Sequence, residues 1–366
     1  MVQPATVREP LKFKPILQAR IWGGDGLYRI LGKGGPEDKD IGESWELSDR
    51  DHNASVVSGG AFAGQNLKDI YARHARDILG SQFSLSWPRF PLLYKFISAR
   101  ENLSVQVHPG PGSPLGEAKT ECWYILDAPP GASLILGLSG EGDKKTVLAA
   151  LQSKECQSAL NRIPAKPGDL FFIPAGTVHA ITAGMLLYEV QQNSDTTFRI
   201  YDWDRVDASG KSRPLHVQQS AQVIDFRRHE KHRILPLALE RDSHREEFLA
   251  ACGYFALVKL SRFQASIPLK NHGRFRVLTC VRGAFELWDD GAAMPIALGE
   301  TVLLPAACPN LRLRETAPGS EIIASFIPRL QADVIAPLLT AGYSPQAIRD
   351  LGGIDGLRVD PESVLP

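Results

Sequence analysis

Residues 104–121 read SVQVHPGPGSPLGEAKTE and gather an amide, an imidazole, an ammonium and a carboxylate in one short stretch. In a strand, residues i and i+2 share a face. Gln106 and His108 therefore look one way, and Val105 and Val107 the other. The same spacing puts Lys119 with Glu121. The Pro/Gly-rich segment between them predicts a hairpin-like return that brings the two polar faces together. Such a cluster is costly to bury without a partner, and a divalent metal is the simplest partner.

A second histidine completes the set. His179 follows a buried strand and a tight turn in GDLFFIPAGTVHAI, 168–181. His108, Glu121 and His179 are the candidate ligands, with Gln106 available as a fourth. Neutral imidazole and carboxylate without a thiol suit Zn²⁺, Fe²⁺ or Mn²⁺. Two histidines and a carboxylate also describe a non-haem iron oxygenase site, which is the rival chemistry.

These residues must be carried by strands. FPLLYKFIS (90–98), ECWYIL (121–126), SLILGL, 170–173 and two segments within 185–203 all read as strands. In the last of them Thr197, Arg199 and Tyr201 share one face, while Phe198 and Ile200 take the other. Residues 66–80 predict a helix ended by Gly80, with His74 on its surface, and 144–162 predict a second helix inserted into the strand series. The polar stretch 204–245, with RRHEKH at 227–232, reads as a linker or solvated surface. New strands begin near Tyr254, and Ser344 and Pro345 open a short terminal helix. The aromatic–glycine runs ARIWGGDGL and IGESWELSDR read as strand corners or as part of a binding surface.

The chain has 366 residues, which favours two domains. Its 32 glycines and 26 prolines favour a turn-rich, strand-rich fold. Lys and Arg balance Asp and Glu at 41 each, so there is no basic surplus to bind nucleic acid. No signal-like N-terminus and no long apolar run is visible, which points to a cytoplasmic protein without a membrane partner. Five scattered cysteines are an odd count and read as free thiols, with Cys122 and Cys280 buried.

The segment 168–179, GDLFFIPAGTVH, has a weak second copy at 299–310, GETVLLPAACPN. His179 falls on Asn310, and the upstream offset carries Glu121 onto Gly273. The expected architecture is mainly β: two jelly-roll β-sandwich modules with a few inserted helices, the second stripped of the polar cluster.

GDLFFIPAGTVH resembles the second motif of cupins. LSVQVHP, AKTECWYIL, PAGTVHAI and NSDTTFRIYDWDR together resemble type I mannose-6-phosphate isomerases in their shorter bacterial form, and IWGG and GESWELS fit as well. The resemblance implies one Zn²⁺ per chain on His108, Glu121 and His179. It also implies that Gln106 matches a ligand of the longer members. Lys119 and Arg199 match positive active-site positions, and Glu189 matches a candidate acid/base. It implies interconversion of mannose 6-phosphate and fructose 6-phosphate through an enediol, so the partner is a phosphorylated hexose and the setting is carbohydrate metabolism. A non-catalytic sugar-binding cupin is the third reading. The expected division is 1–235, a metal-binding catalytic cupin domain with an N-terminal extension and inserted helix, and 236–366, a degenerate metal-free cupin domain. The oligomeric state, monomer or homodimer, is left open by the sequence.

Overall fold

The computed structural model describes residues 6–38, 40–81, 87–140, 144–151, 156–207, 209–227, 232–288, 293–308 and 311–353. The molecule is built from two β-sandwiches, as the sequence pattern predicts. The first sandwich pairs a seven-stranded sheet with a five-stranded one. In the larger sheet the spatial order is Arg233–Ile234, Leu170–Ile173, Glu121–Asp127, Leu186–Gln192, Leu92–Ser98, Ile41–Leu47 and Ile16–Ala19, all antiparallel. In the smaller it is Leu160–Pro164, Ser133–Leu138, His179–Ala180, Val105–Val107 and Phe198–Tyr201. The second sandwich has a seven-stranded sheet containing Arg276–Arg282, Thr301–Leu304 and Glu321–Phe326, facing a four-stranded sheet. Leu11–Lys12, near the start of the chain, pairs with Thr301–Leu304 and forms an edge of this later sheet. No helix among the described residues is long and apolar enough to cross a membrane.

Both large sheets are covered on two faces, which explains their near-continuous apolar runs. Trp123, Ile125, Phe171 and Leu187 point between the two sheets of the first sandwich and pack with Leu134 and Leu136. Cys122, Tyr124 and Tyr188 point the other way, against the large sheet of the second sandwich. There the Tyr188 hydroxyl lies 2.7 Å from Thr279 Oγ1, and Ser325 Oγ donates to Tyr94 Oη at 3.2 Å. Val105 and Val107 pack behind the small sheet on the helix Lys144–Leu151. All five cysteines are buried, and none forms a disulfide.

Several expectations change. Residues 105–107 and 121–127 do not form a hairpin. They belong to opposite sheets, and the Pro/Gly segment crosses the sandwich between them. Of the helix expected over 144–162, Lys144–Leu151 is helical among the described residues. After residues 152–155, which lie outside the described set, a 3₁₀ turn Cys156–Ala159 leads into the strand Leu160–Pro164. Pairing with Ser133–Leu138 outweighs the local helix preference. The stretch 204–245 is structure rather than linker: Val217–Val223 is helical, and Arg233–Ile234 and Leu237–Glu240 pair into the two large sheets. His232 is fully buried, while 228–231 lie outside the described residues. The helix Leu67–Leu79 forms as expected, capped by Asn66 accepting from the Asp69 N–H at 2.8 Å. His74 is buried on it rather than exposed, against Asp77 and the Phe62 ring.

The repeat holds with a shifted register. Ile173 pairs with Glu121, and its counterpart Leu304 pairs with Arg276, not with Gly273. Asn310, the counterpart of His179, lies outside the described residues.

Candidate active site

Two rows of side chains face each other inside the first sandwich. On the five-stranded sheet, His179 lies opposite Gln106, and Gln106 lies opposite Arg199. On the seven-stranded sheet the row runs Trp45, Lys95, Glu189, Trp123 across four adjacent strands. Glu121 shares the face of Trp123 two residues away. Period-2 alternation thus sends every chemically active side chain inward and leaves its apolar neighbours to hold each sheet from behind.

His108, Glu121 and His179 converge, with their donor atoms all within 4.8 Å of one another and all three buried. His108 Nδ1 sits 2.8 Å from the Thr196 carbonyl and His179 Nδ1 sits 2.8 Å from the Thr177 carbonyl. A carbonyl only accepts, so each Nδ1 donates and each Nε2 presents a lone pair. His179 Nε2 lies 3.4 Å from Glu121 Oε1, and His108 Nε2 lies 3.8 Å from Oε2. Oε1 is buried without a hydrogen-bond donor. Lys119 lies against Oε2 and His108 Nε2, but Oε1 and the His179 lone pair still face each other 3.4 Å apart, and carbonyl-oriented histidines are the usual support of a metal site. The donor set fits a divalent metal. Burial, then the neighbouring Lys119, keeps His108 well below its ordinary pKa, and burial pulls His179 down to about 4. Both imidazoles are neutral, as ligands must be.

Gln106 is in place as a further donor. Its Nε2 lies 3.2 Å from His179 Nε2, and rotating the amide presents its oxygen to the same point. Lys119 is buried and bonded 2.8 Å from Glu121 Oε2, 3.3 Å from His108 Nε2 and 4.0 Å from Glu189 Oε1. Burial would lower its pKa, but Glu121 and Glu189 outweigh burial and raise it, so the ammonium stays charged.

Above this cluster opens a cavity of about 410 Å³. Gln106 and Lys119 belong to both. Five cations line the cavity, Arg20, Lys95, Lys119, Arg199 and Arg213, against Glu43, Glu189 and Asp195. Arg199 faces inward as the alternation predicts, with Phe198 and Ile200 buried behind it. Its Nη1 donates to the Pro214 carbonyl at 2.8 Å, and its Nε is buried with no hydrogen-bond partner among the described residues. Asp202 aims Arg213 by accepting from its Nε at 2.8 Å, and it holds Arg205 as well.

The two inner carboxylates differ. Glu189 Oε2 accepts from Trp123 Nε1 at 2.8 Å while Oε1 has no hydrogen-bond donor; burial raises its pKa. Glu43 accepts from Trp45 Nε1 and from Arg20 Nη2, each at 2.8 Å. Burial pushes Glu43 up, but Lys95 and Arg20 prevail and hold it at about 2.

Arg20, Glu43, Lys95 and Arg213 were missed from the sequence as site residues. Lys95 had a signal, a lone lysine inside the apolar run PLLYKFIS. Glu43 and Arg20 lie in the aromatic–glycine runs, and the glycine there has a geometric cause. A Cβ on Gly42 would come within 2.6 Å of Trp22 and 2.7 Å of Arg20, so only glycine lets that segment pass across the strand and reach the cavity. Arg213 carried no sequence signal.

Fold and site define a cupin-type β-sandwich in which a His–Glu–His cluster able to hold a metal ion lies beside a cationic pocket. A model of the type I phosphomannose isomerase catalytic domain matches residues 11–127. The mannose-6-phosphate isomerase ManA of Bacillus subtilis is 36% identical over 324 residues, covering 83% of this chain and 96% of that protein. A mannose-6-phosphate isomerase of Streptococcus mutans is 40% identical over 220 residues, covering 59% and 68%. Among solved structures, the mannose 6-phosphate isomerase of Bacillus subtilis superposes with a TM-score of 0.79 at 29% identity, covering 87% of this chain and 100% of that one. The chain belongs to the type I phosphomannose isomerase family.

Proposed function

We propose that the chain is an aldose–ketose isomerase that interconverts mannose 6-phosphate and fructose 6-phosphate through an enediol. The observation that carries this is the pairing of a buried His–Glu–His donor set with a cavity lined by five cations, in a chain of this family. His108, Glu121 and His179 hold the metal, with Gln106 beside them; the nitrogen–oxygen donor set favours Zn²⁺, one per chain. The bound ion supplies Lewis acidity toward the oxygens of the open-chain sugar.

The remaining work falls to the chain's own groups. The reaction moves a proton between C1 and C2 and develops negative charge on the adjacent oxygens. Glu189 is the proposed proton carrier. Environments that push two neighbouring carboxylates apart identify the acid–base partner, and here Glu43 stays ionised while burial raises Glu189. Lys119 stabilises the developing oxyanion, being charged, buried and fixed by Glu121. Arg199 carries an unused donor and binds either the phosphate or the enediolate. Glu43 positions Arg20, and Asp202 positions Arg213, at the cavity wall.

The division of labour is proposed at about residue 235, with catalysis in 1–235 and a metal-free cupin in 236–366. Arg276 at the register position of Glu121 supports the second half of this reading, since a guanidinium repels a metal ion. The test is a coupled isomerase assay on metal-stripped protein with Zn²⁺, Fe²⁺ and Mn²⁺ added back. Turnover from mannose 6-phosphate to fructose 6-phosphate that returns with metal is expected. Restored metal without turnover would refute the proposal.

A further inference from the structure

The second sandwich repeats the register of the first with the charge inverted at one position and kept at another. Where the first has Glu121 and, two residues earlier, Lys119, the second has Arg276 and Arg274. On the strand Arg276–Arg282, Thr279 faces back toward Tyr188 of the first sandwich. Arg276 is three residues away and points to the opposite side, between the two sheets of its own sandwich. Two cavities there, of about 490 and 210 Å³, share a wall made by Arg241, Glu246, Leu260 and Arg276.

Most of the charges around Arg276 are already paired with one another, although Asp242 also lines the larger cavity and His272 the smaller. Arg274 forks onto Asp333, with Nη2 donating to Oδ1 at 2.6 Å and Nη1 to Oδ2. Arg241 donates twice to Glu246 Oε2, at 2.9 and 2.7 Å, and His244 faces the other Glu246 oxygen at 3.4 Å. At the rim, Glu240 pairs with Arg245 at 3.1 Å. Arg276 has neither an ion pair nor a hydrogen bond from its side chain among the described residues, and its Nε is buried. Its guanidinium rests on the Phe326 ring, 5.3 Å from the centroid, a ring it shares with Arg274 at 5.4 Å. Burial, then the nearby Arg274, pushes its pKa down, and the opposing pull of Glu246 and Asp333 is too weak to restore it.

A guanidinium between sheets without a direct anionic contact is costly, and an oxyanion removes that cost. The planar fork matches carboxylate and phosphate oxygens in pairs. We propose that the second sandwich is an anion-binding module, in which Arg276 takes the phosphate or carboxylate group of a small organic anion and Leu260, Ile267 and Leu269 take its apolar part. This site is distinct from the cavity of the first sandwich and does not depend on the isomerase reading.

The test is isothermal titration of the full-length, metal-loaded chain with inorganic phosphate and, separately, with succinate. It is run in an Arg199→Ala background so that the first cavity is weakened. At least one anion binds at millimolar concentration, and the arm that binds identifies the group. Adding Arg276→Gln weakens that binding by about tenfold or more. Arg276→Lys keeps the charge and guards against a folding defect; it also weakens binding, since an ammonium cannot reproduce the fork. Isotherms unchanged in folded Arg276→Gln or Arg276→Lys, or no uptake of either anion, would overturn the proposal and leave Arg276 as a packing residue on Phe326.

Discussion

Removal of the Arg199 side chain is the sharpest probe of the first cavity. In the structure this guanidinium spends one hydrogen bond on the Pro214 carbonyl and has a buried Nε with none. It lies across the sheet from Gln106, which in turn touches His179. Arg199→Ala therefore loses one neutral acceptor contact in the free protein, worth about 0.5–1.5 kcal/mol. In a chain of this size that lowers Tm by no more than a few degrees. With substrate bound, the loss is a charge-assisted contact to phosphate or enediolate, worth about 1.5–3 kcal/mol, or roughly 10- to 150-fold in kcat/KM. If the contact forms only in the transition state, the loss exceeds about 100-fold in kcat. The assay is steady-state isomerase kinetics alongside metal analysis and thermal unfolding. A loss carried by KM assigns Arg199 to the phosphate, and one carried by kcat assigns it to the reacting carbons. Arg199→Lys recovers little, because a point charge cannot reproduce the planar fork. Near-wild-type kinetics in folded Arg199→Ala would refute the reasoning, since it would mean that the free donor serves no ligand.

Three further outcomes are expected. His179→Ala leaves a folded protein that has lost its metal and its turnover together; mass spectrometry of the intact protein reads one metal per wild-type chain and none in the variant, and full occupancy in the variant would remove His179 from the ligand set. Glu189→Gln keeps the Trp123 contact and substrate binding but lowers kcat by about 100- to 10,000-fold, the range of a lost general acid–base group, so that a wild-type kcat would reassign the proton transfer. Asp333 is held below its ordinary value of 3.8, because the Arg274 fork outweighs the upward push of burial. Its contribution to stability is present above that value and is lost as pH falls through the lowered pKa. Asp333→Asn therefore lowers Tm clearly at pH 7, and the gap from wild type narrows at pH 3 and below. A gap that widens in acid would show that Asp333 is not stabilised by Arg274.

The sequence by itself determined which side of each strand carries chemistry. In VQVHP the apolar and polar residues alternate, so Val105 and Val107 had to pack while Gln106 and His108 faced the interior with Glu121 and His179. TTFRIYD separated Arg199 from Phe198 and Ile200 by the same rule, and Asn66 and Ser344 capped their helices from local chemistry alone. What alternation cannot state is which strand lies across the sandwich. Residues 105–107 and 121–127 look like a hairpin because the turn between them is short and rich in Pro and Gly, yet they pair into opposite sheets. Only that crossing brings Lys119 onto Glu121 and His108 from one side and Glu189 from the other. Lys95, Glu43, Arg20 and Arg213 enter the cavity through pairings with residues far away in the chain, so their roles could not be read from their neighbours. The repeat was visible in the sequence, but its register was not: Leu304 selects Arg276, and a three-residue shift turns an empty glycine position into a half-buried cation. Side-chain direction is a local property of the backbone, whereas register and sheet partner are settled by the packing of the whole core, and the charge of each cavity follows from these.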